Sequence, residues 1–169
     1  MDFQLSKEHE MARSLFKDFA EKEVKPLAIE VDDTHEFPRE TVSKMQKLGF
    51  MGIPIPKEYG GQGCDPLTYV MCVEELAKVC GTTSVIVSAH TSLCCDPIMT
   101  FGTEEQKQKY LIPLAQGKLL GAFGLTEPGA GTDAQGVQTK AVLSEDGKEW
   151  ILNGSKCFIT NGKEADIYI

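Results

Sequence analysis

The chain has 169 residues, 41% hydrophobic and 25% charged, enough for one packed domain or a little more. Its net charge is −8, from 17 basic and 25 acidic residues, which argues against a nucleic-acid backbone as partner. No run reaches the ~18 apolar residues of a membrane span, and the opening Met1-Asp2-Phe3-Gln4 carries neither a charged-apolar-small leader nor transit-peptide arginines, so a cytoplasmic protein is expected.

The first half reads as helices. Ser6 suits an N-cap, followed by an apolar face of Met11, Leu15, Phe16, Phe19 and Ala20. Pro26 should kink or restart that helix, with Leu27, Ala28 and Val31 carrying the face on, before a polar break at residues 32–36. Pro38 opens a short helix with Val42, Met45 and Leu48 inward and Gly49 as its stop. Prolines forbid a helix over residues 50–56, and Gly60, Gly61 and Gly63 mark a turn.

Asp65 and Pro66 start a helix that is apolar on most of its surface through Leu67, Val70, Met71, Val73, Leu76 and Ala77, so it is expected to be buried, with Gly81 ending it. Thr82 or Thr83 starts the next, through Val85, Ile86, Ala89, Leu93 and Cys94, with Pro97 disturbing its end. Thr103-x-x-Gln106 is a capping box for a helix through Tyr110, Leu111 and Leu114, distorted by Pro113 and closed by Gly117. Residues 1–117 thus form an all-α unit of five or six helices.

After residue 117 the period becomes strand-like. Residues 137–143 and Trp150-Ile151-Leu152 read as strands around an Asp146-Gly147 hairpin turn. Residues 157–160 read as another, Asn161-Gly162 as a turn, and residues 165–169 as the start of one more. The fold class is therefore α+β: an all-α unit, then the opening of an antiparallel β domain at 118–169. A sheet with so few strands leaves a face and an edge uncovered, so the chain is expected to be the front part of something longer.

Two features bear on chemistry. Six cysteines (Cys64, Cys72, Cys80, Cys94, Cys95 and Cys157) form no CxxC pair, and His9, His35 and His90 stand apart from any ligand spacing. No metal site is expected, and the thiols read as reduced, several of them buried. The second feature is the stretch GAFGLTEPGAGTD, residues 121–133. Its glycines and Pro128 can bring backbone N–H groups close to a ligand between the hydroxyls of Thr126 and Thr132, and equally make a tight turn between strands. Gly129-x-Gly131-x-x-Ala134 fits a dinucleotide fingerprint, but Gly136 and a strand pattern follow where a helix should open, so a Rossmann site is rejected.

The stretch GLTEPGAGTDAQG resembles the signature of the acyl-CoA dehydrogenases, flavoenzymes that desaturate acyl-CoA thioesters. Downstream, NGSKCFITNG at residues 153–162 resembles the family's NG-x-K-x-[WF]-I-T-N block. The likeness runs from Asp2 to the last residue and is similar to the bacterial short-chain (butyryl-CoA) branch.

The resemblance implies FAD as cofactor. Phe123, Gly124, Leu125 and Thr126 would lie along the flavin ring, with Thr126 bonding its N5 region. Phe158, Ile159 and Thr160 would contact the ring from the second segment, Phe158 standing where many relatives have Trp. Thr132 matches a Ser/Thr position counted with the cofactor site that contacts the acyl-CoA. Glu127 belongs to the loop; the catalytic base is expected to be a Glu in a C-terminal helical domain absent from this chain, so no catalytic residue is assigned here. The implied reaction removes an α-proton and transfers a β-hydride to flavin, giving trans-2-enoyl-CoA. The implied partners are the acyl-CoA substrate and an electron-transferring flavoprotein, and the implied parent is a homotetramer. This chain alone is expected to lack the base and to hold flavin weakly or not at all. The alternatives are a non-catalytic folding or interaction fragment, and a same-fold acyl-CoA oxidase or enoyl-CoA reductase.

Overall fold

Three prolines shape the helical part. The computed structural model describes residues 4–169; Met1, Asp2 and Phe3, where the resemblance and the opening stretch begin, lie outside the described residues. Helix α1 (Lys7–Phe19) runs through a widened π-turn, Ala20–Val24, and a tight turn, Lys25–Leu27, into α2 (Ala28–Thr34). Helices α3 (Arg39–Lys47) and α4 (Pro66–Ala77) follow. Then α5 (Gly81–Ser88) widens over Ala89–Cys95 into α6 (Asp96–Phe101). The short α7 (Glu104–Gln106) widens over Lys107–Leu111 into α8 (Ile112–Ala115). Each widened segment ends two residues before a proline: Pro26, Pro97 and Pro113. A proline has no N–H to return to the preceding turn and its ring crowds that turn's carbonyl, so the helix bulges there and continues.

The expected caps are present. The Ser6 hydroxyl accepts from His9 N at 3.2 Å and Asp65 Oδ1 from Thr68 N at 2.8 Å. Thr103 and Gln106 close their capping box in both directions, at 2.8 and 3.3 Å. Gly49 leaves α3 in the left-handed region, φ 78°.

Phe50 centres the core. Its ring meets Phe16 edge-on at 5.2 Å and Phe19 at 5.0 Å, with Met45, Met51, Cys72 and Leu76 buried around them. A second cluster, including Cys94, Cys95, Ile98, Leu111 and Leu114, reaches Ile167 of the β part.

Four strands follow. β1 (Gly121–Ala122) pairs with β4 (Ile167–Tyr168) in parallel, and β2 (Lys140–Leu143) pairs with β3 (Trp150–Asn153) antiparallel. The α+β class stands, with the antiparallel pair confined to β2–β3. The hairpin turn is built on Asp146-Gly147, with Gly147 at φ 70° and Ser144 N bonded to Glu149 O. No dinucleotide helix opens after Gly131; a three-residue turn, Ala134–Gly136, leads to β2.

Some expectations fail. Met11 is 73% exposed and Leu15 half exposed, because α4 packs beside α1 along the Ala12, Phe16 and Phe19 side. Leu48, Val85 and Leu93 are also exposed, and α4 shows Leu67 and Val70 to solvent. Gly81 begins α5 rather than ending α4, and α2 runs to Thr34, so the break falls at His35. Residues 157–160 are not a strand: Phe158 (φ 56°) and Asn161 (φ 65°) are left-handed, which no continuous strand allows. Among the described residues no helix is long and apolar enough to cross a membrane.

Candidate functional site

The residues leaving β1 lie between two lengths of chain. On one edge Ile169 N bonds Ala122 O at 3.0 Å and Gly124 N bonds Ile169 O at 2.7 Å. On the other, Cys157 N bonds Thr126 O at 2.9 Å, and the Lys156 ammonium bonds Leu125 O at 2.9 Å. The two motif segments, 123–126 and 156–160, are therefore neighbours although thirty residues separate them in the chain.

Glu127 fixes the loop that follows. Its Oε2 accepts from Gln138 N at 2.7 Å; its Oε1 accepts from Thr139 N and the Lys156 ammonium, each at 2.9 Å. The Thr139 hydroxyl beside it, then the Gln138 N–H, the Lys156 ammonium and the Thr139 N–H, pull the carboxyl down to about 2. Glu127 is thus ionised and fully engaged at neutral pH. Backbone bonds between Glu127 and Ala130 close the turn over Pro128 and Gly129.

The segments present apolar and hydroxyl groups outward. The Phe158 ring is 92% exposed, turned out by its left-handed backbone. Leu125 is exposed, while Phe123, Gly124 and Thr126 are half-buried. Ile159 and Thr160, also half-buried, line a cleft of about 630 Å³ against Asp32, His35, Val85 and Ile86. Thr132 sits in the exposed turn beyond Glu127, its carbonyl accepting from Ala134 N at 3.1 Å. The structure thus brings 123–126 beside 156–157 and leaves Thr132 out on the loop.

Three residues given no role from the sequence matter here. Lys156 ties the two segments. Asn161, buried and left-handed, donates to Ile86 O at 3.2 Å and Gly121 O at 3.0 Å. His90, fully buried, accepts from Gly121 N at 3.0 Å. The Asn161-Gly162 turn signal pointed to Asn161's backbone, and nothing local to His90 pointed to Gly121.

Comparison with known proteins agrees with the motifs. Residues 6–118 match the acyl-CoA dehydrogenase N-terminal domain, and residues 122–169 match the acyl-CoA dehydrogenase middle domain. The chain belongs to the acyl-CoA dehydrogenase family. It is 59% identical over 169 residues to a short-chain specific acyl-CoA dehydrogenase of Clostridium acetobutylicum, covering all of this chain and 44% of the relative. Butyryl-CoA dehydrogenase from Megasphaera elsdenii superposes with a TM-score of 0.93 at 48% identity, over 100% of this chain and 45% of that one. An acyl-CoA dehydrogenase from Bacillus anthracis, solved in complex with FAD, gives 0.92 at 39% identity, over 98% of this chain and 28% of that one. The chain thus spans less than half the length of these relatives.

Proposed function

We propose that this chain is the N-terminal part of an FAD-dependent acyl-CoA dehydrogenase acting on short-chain acyl-CoA, with residues 1–117 as its helical domain and 118–169 opening its middle β domain. The observation that carries the reading is the Thr126–Cys157 bond, which sets the two family motifs side by side.

The residues fit a flavin. A flat ring system needs an apolar surface with a few hydroxyls at its polar edge. Phe158 and Leu125, both exposed, would offer the first, and the half-buried hydroxyl residues Thr126 and Thr160 would offer the second. A Cβ at Gly124 would meet only Lys156 Cγ at 3.6 Å and Ile169 O at 3.7 Å, so backbone there is open to close approach.

FAD, when bound, supplies the acceptor for the β-hydride of the substrate. The residues of this chain that would hold it are Phe123, Gly124, Leu125 and Thr126, with Phe158, Ile159 and Thr160 from the second segment. Thr132, out on the loop beyond Glu127, would meet the cofactor and acyl-CoA when they bind. Leu125 and Phe158, exposed here, would be covered by the bound ring and exclude water from it. Glu127, ionised and bonded to Gln138, Thr139 and Lys156, holds the loop and is not the base. The α-proton goes to a Glu in a C-terminal helical domain, and the product is trans-2-enoyl-CoA. An electron-transferring flavoprotein would be the electron acceptor. The whole protein is a cytoplasmic homotetramer.

The test is anaerobic addition of butyryl-CoA to the full-length protein. Flavin bleaching is expected, slowed by Thr126→Ala and preserved in Glu127→Gln. Loss of bleaching in a flavin-loaded Glu127→Gln protein whose flavin spectrum and thermal stability match the wild type would make Glu127 the base. The 169-residue chain alone should not oxidise butyryl-CoA; turnover of about 1 per second or faster contradicts the assignment of the base.

A further inference from the structure

Gly121 is held by side chains where a sheet would use a neighbouring strand. Leu120 O, just before β1, and Ala122 O within it bond toward the β4 side, accepting from Ile167 N and Ile169 N. Successive residues of a strand turn their backbone bonds to opposite edges, so Gly121 faces the edge without a strand. There its N–H donates to His90 Nδ1 at 3.0 Å and its C=O accepts from Asn161 Nδ2 at 3.0 Å. Asn161 Nδ2 also donates to Ile86 O at 3.2 Å. Both side chains are buried, and buried donors and acceptors left unmade are costly.

These contacts join three parts of the chain. His90 belongs to the widened segment after α5, Ile86 to α5 itself, and Asn161 ends the second motif segment. Gly121 begins the first. Space enforces the fit: a Cβ on Gly121 would lie 2.5 Å from Cys94 Sγ and 2.6 Å from Cys94 Cβ. Because Gly121 is two residues from Phe123 and Asn161 one residue from Thr160, the clamp controls where both segments start and stop.

We infer that His90 and Asn161 are positioning residues that register segments 123–126 and 158–160 against α5 and its widened continuation, and so preset the flavin surface. This rests on the flavin reading above. Neither side chain touches the cofactor in this role; both act through the backbone of Gly121.

The test uses the 169-residue chain and amide hydrogen exchange resolved by residue. Gly124 N and Cys157 N report the register, since they bond Ile169 O and Thr126 O; Cys72 and Leu76 in α4 report the core. Asn161→Ala and His90→Phe should speed exchange at Gly124 and Cys157 about tenfold or more while the α4 amides hold. His90→Gln, whose amide oxygen can accept from Gly121, should restore protection. Unchanged exchange at Gly124 and Cys157, or equal acceleration at all four, overturns the inference. A measurement needing no variant guards against misfolding: in the wild-type chain a scalar coupling should cross the Gly121 N–H···Nδ1 bond, and its absence is equally decisive.

FAD titration separates the two claims. Weaker FAD binding in Asn161→Ala and His90→Phe, recovered in His90→Gln, supports positioning of the flavin surface. Unchanged affinity with lost protection overturns that role. If the wild-type chain binds no FAD, the same titration is made on the full-length apoprotein; no binding there overturns the flavin reading, and the exchange pattern alone then decides whether the clamp sets the register.

Discussion

Lys156 and Glu127 meet at 2.9 Å, and the same ammonium reaches Leu125 O at 2.9 Å. One side chain of the second motif therefore pins the backbone and the loop carboxylate of the first. The carboxyl, drawn down to about 2 by the Thr139 hydroxyl, the Gln138 N–H and Lys156, stays ionised across the neutral range.

Glu127→Gln should loosen this loop. A folded pKa below the unfolded one gives stability that is present above the unfolded value of about 4.5 and lost as pH falls toward about 2. Unfolding measured over that window should show a steeper loss in the wild type than in Glu127→Gln. In the variant, Gln138 and Thr139 amides should exchange faster at neutral pH.

His90 sets a second window. Burial pushes its imidazole from 6.5 down to about 4, against the smaller upward pull of the Leu114 and Met51 carbonyls. The unfolded chain takes up a proton that the folded chain refuses, so stability is full above pH 6.5 and falls between 6.5 and 4. The shift corresponds to about 3 kcal/mol. Urea midpoints across this range should fall in the wild type, and His90→Gln should flatten that part of the profile.

Gly121→Ala should cost about 1–3 kcal/mol, because its methyl overlaps Cys94 and the site cannot open without moving β1. Adding Cys94→Ala should recover part of the loss. The double-mutant cycle should give a coupling of about 0.5 kcal/mol or more; strict additivity contradicts the contact.

Phe158→Ala separates folding from binding. The ring is 92% exposed, so thermal stability should change by less than about 0.5 kcal/mol. FAD affinity should fall about 2- to 10-fold through the lost aromatic contact. A large stability loss would mark Phe158 as a packing residue instead.

The side-chain-capped helix starts were legible because their causes are local, whereas Gly81, read as an end, begins α5. Ser6, Asp65 and the Thr103–Gln106 pair announce caps, and Pro26, Pro97 and Pro113 announce distortions that the helices absorb as bulges. Asp146-Gly147 announced the hairpin in the same way. Which apolar side chains are buried was less legible: Met11 and Leu15 share the stripe of Phe16, but α4 arrives on the other flank. Cys157-Phe158-Ile159-Thr160 carries strand-forming residues, yet Phe158 and Asn161 turn left-handed where Asn161 bonds Ile86 and Gly121. The motifs pointed to the flavin segments, whereas Lys156, His90 and Asn161 act across 29 or more residues, beyond any local pattern.

The most direct test of the claim that segments 123–126 and 158–160 form a flavin surface is an FAD titration of the full-length apoprotein, followed by flavin fluorescence and visible absorbance. Saturable binding is expected, weaker in Thr126→Ala and weaker again in Thr126→Ala/Phe158→Ala. Absence of saturable binding, or equal binding by wild type and double variant, contradicts it.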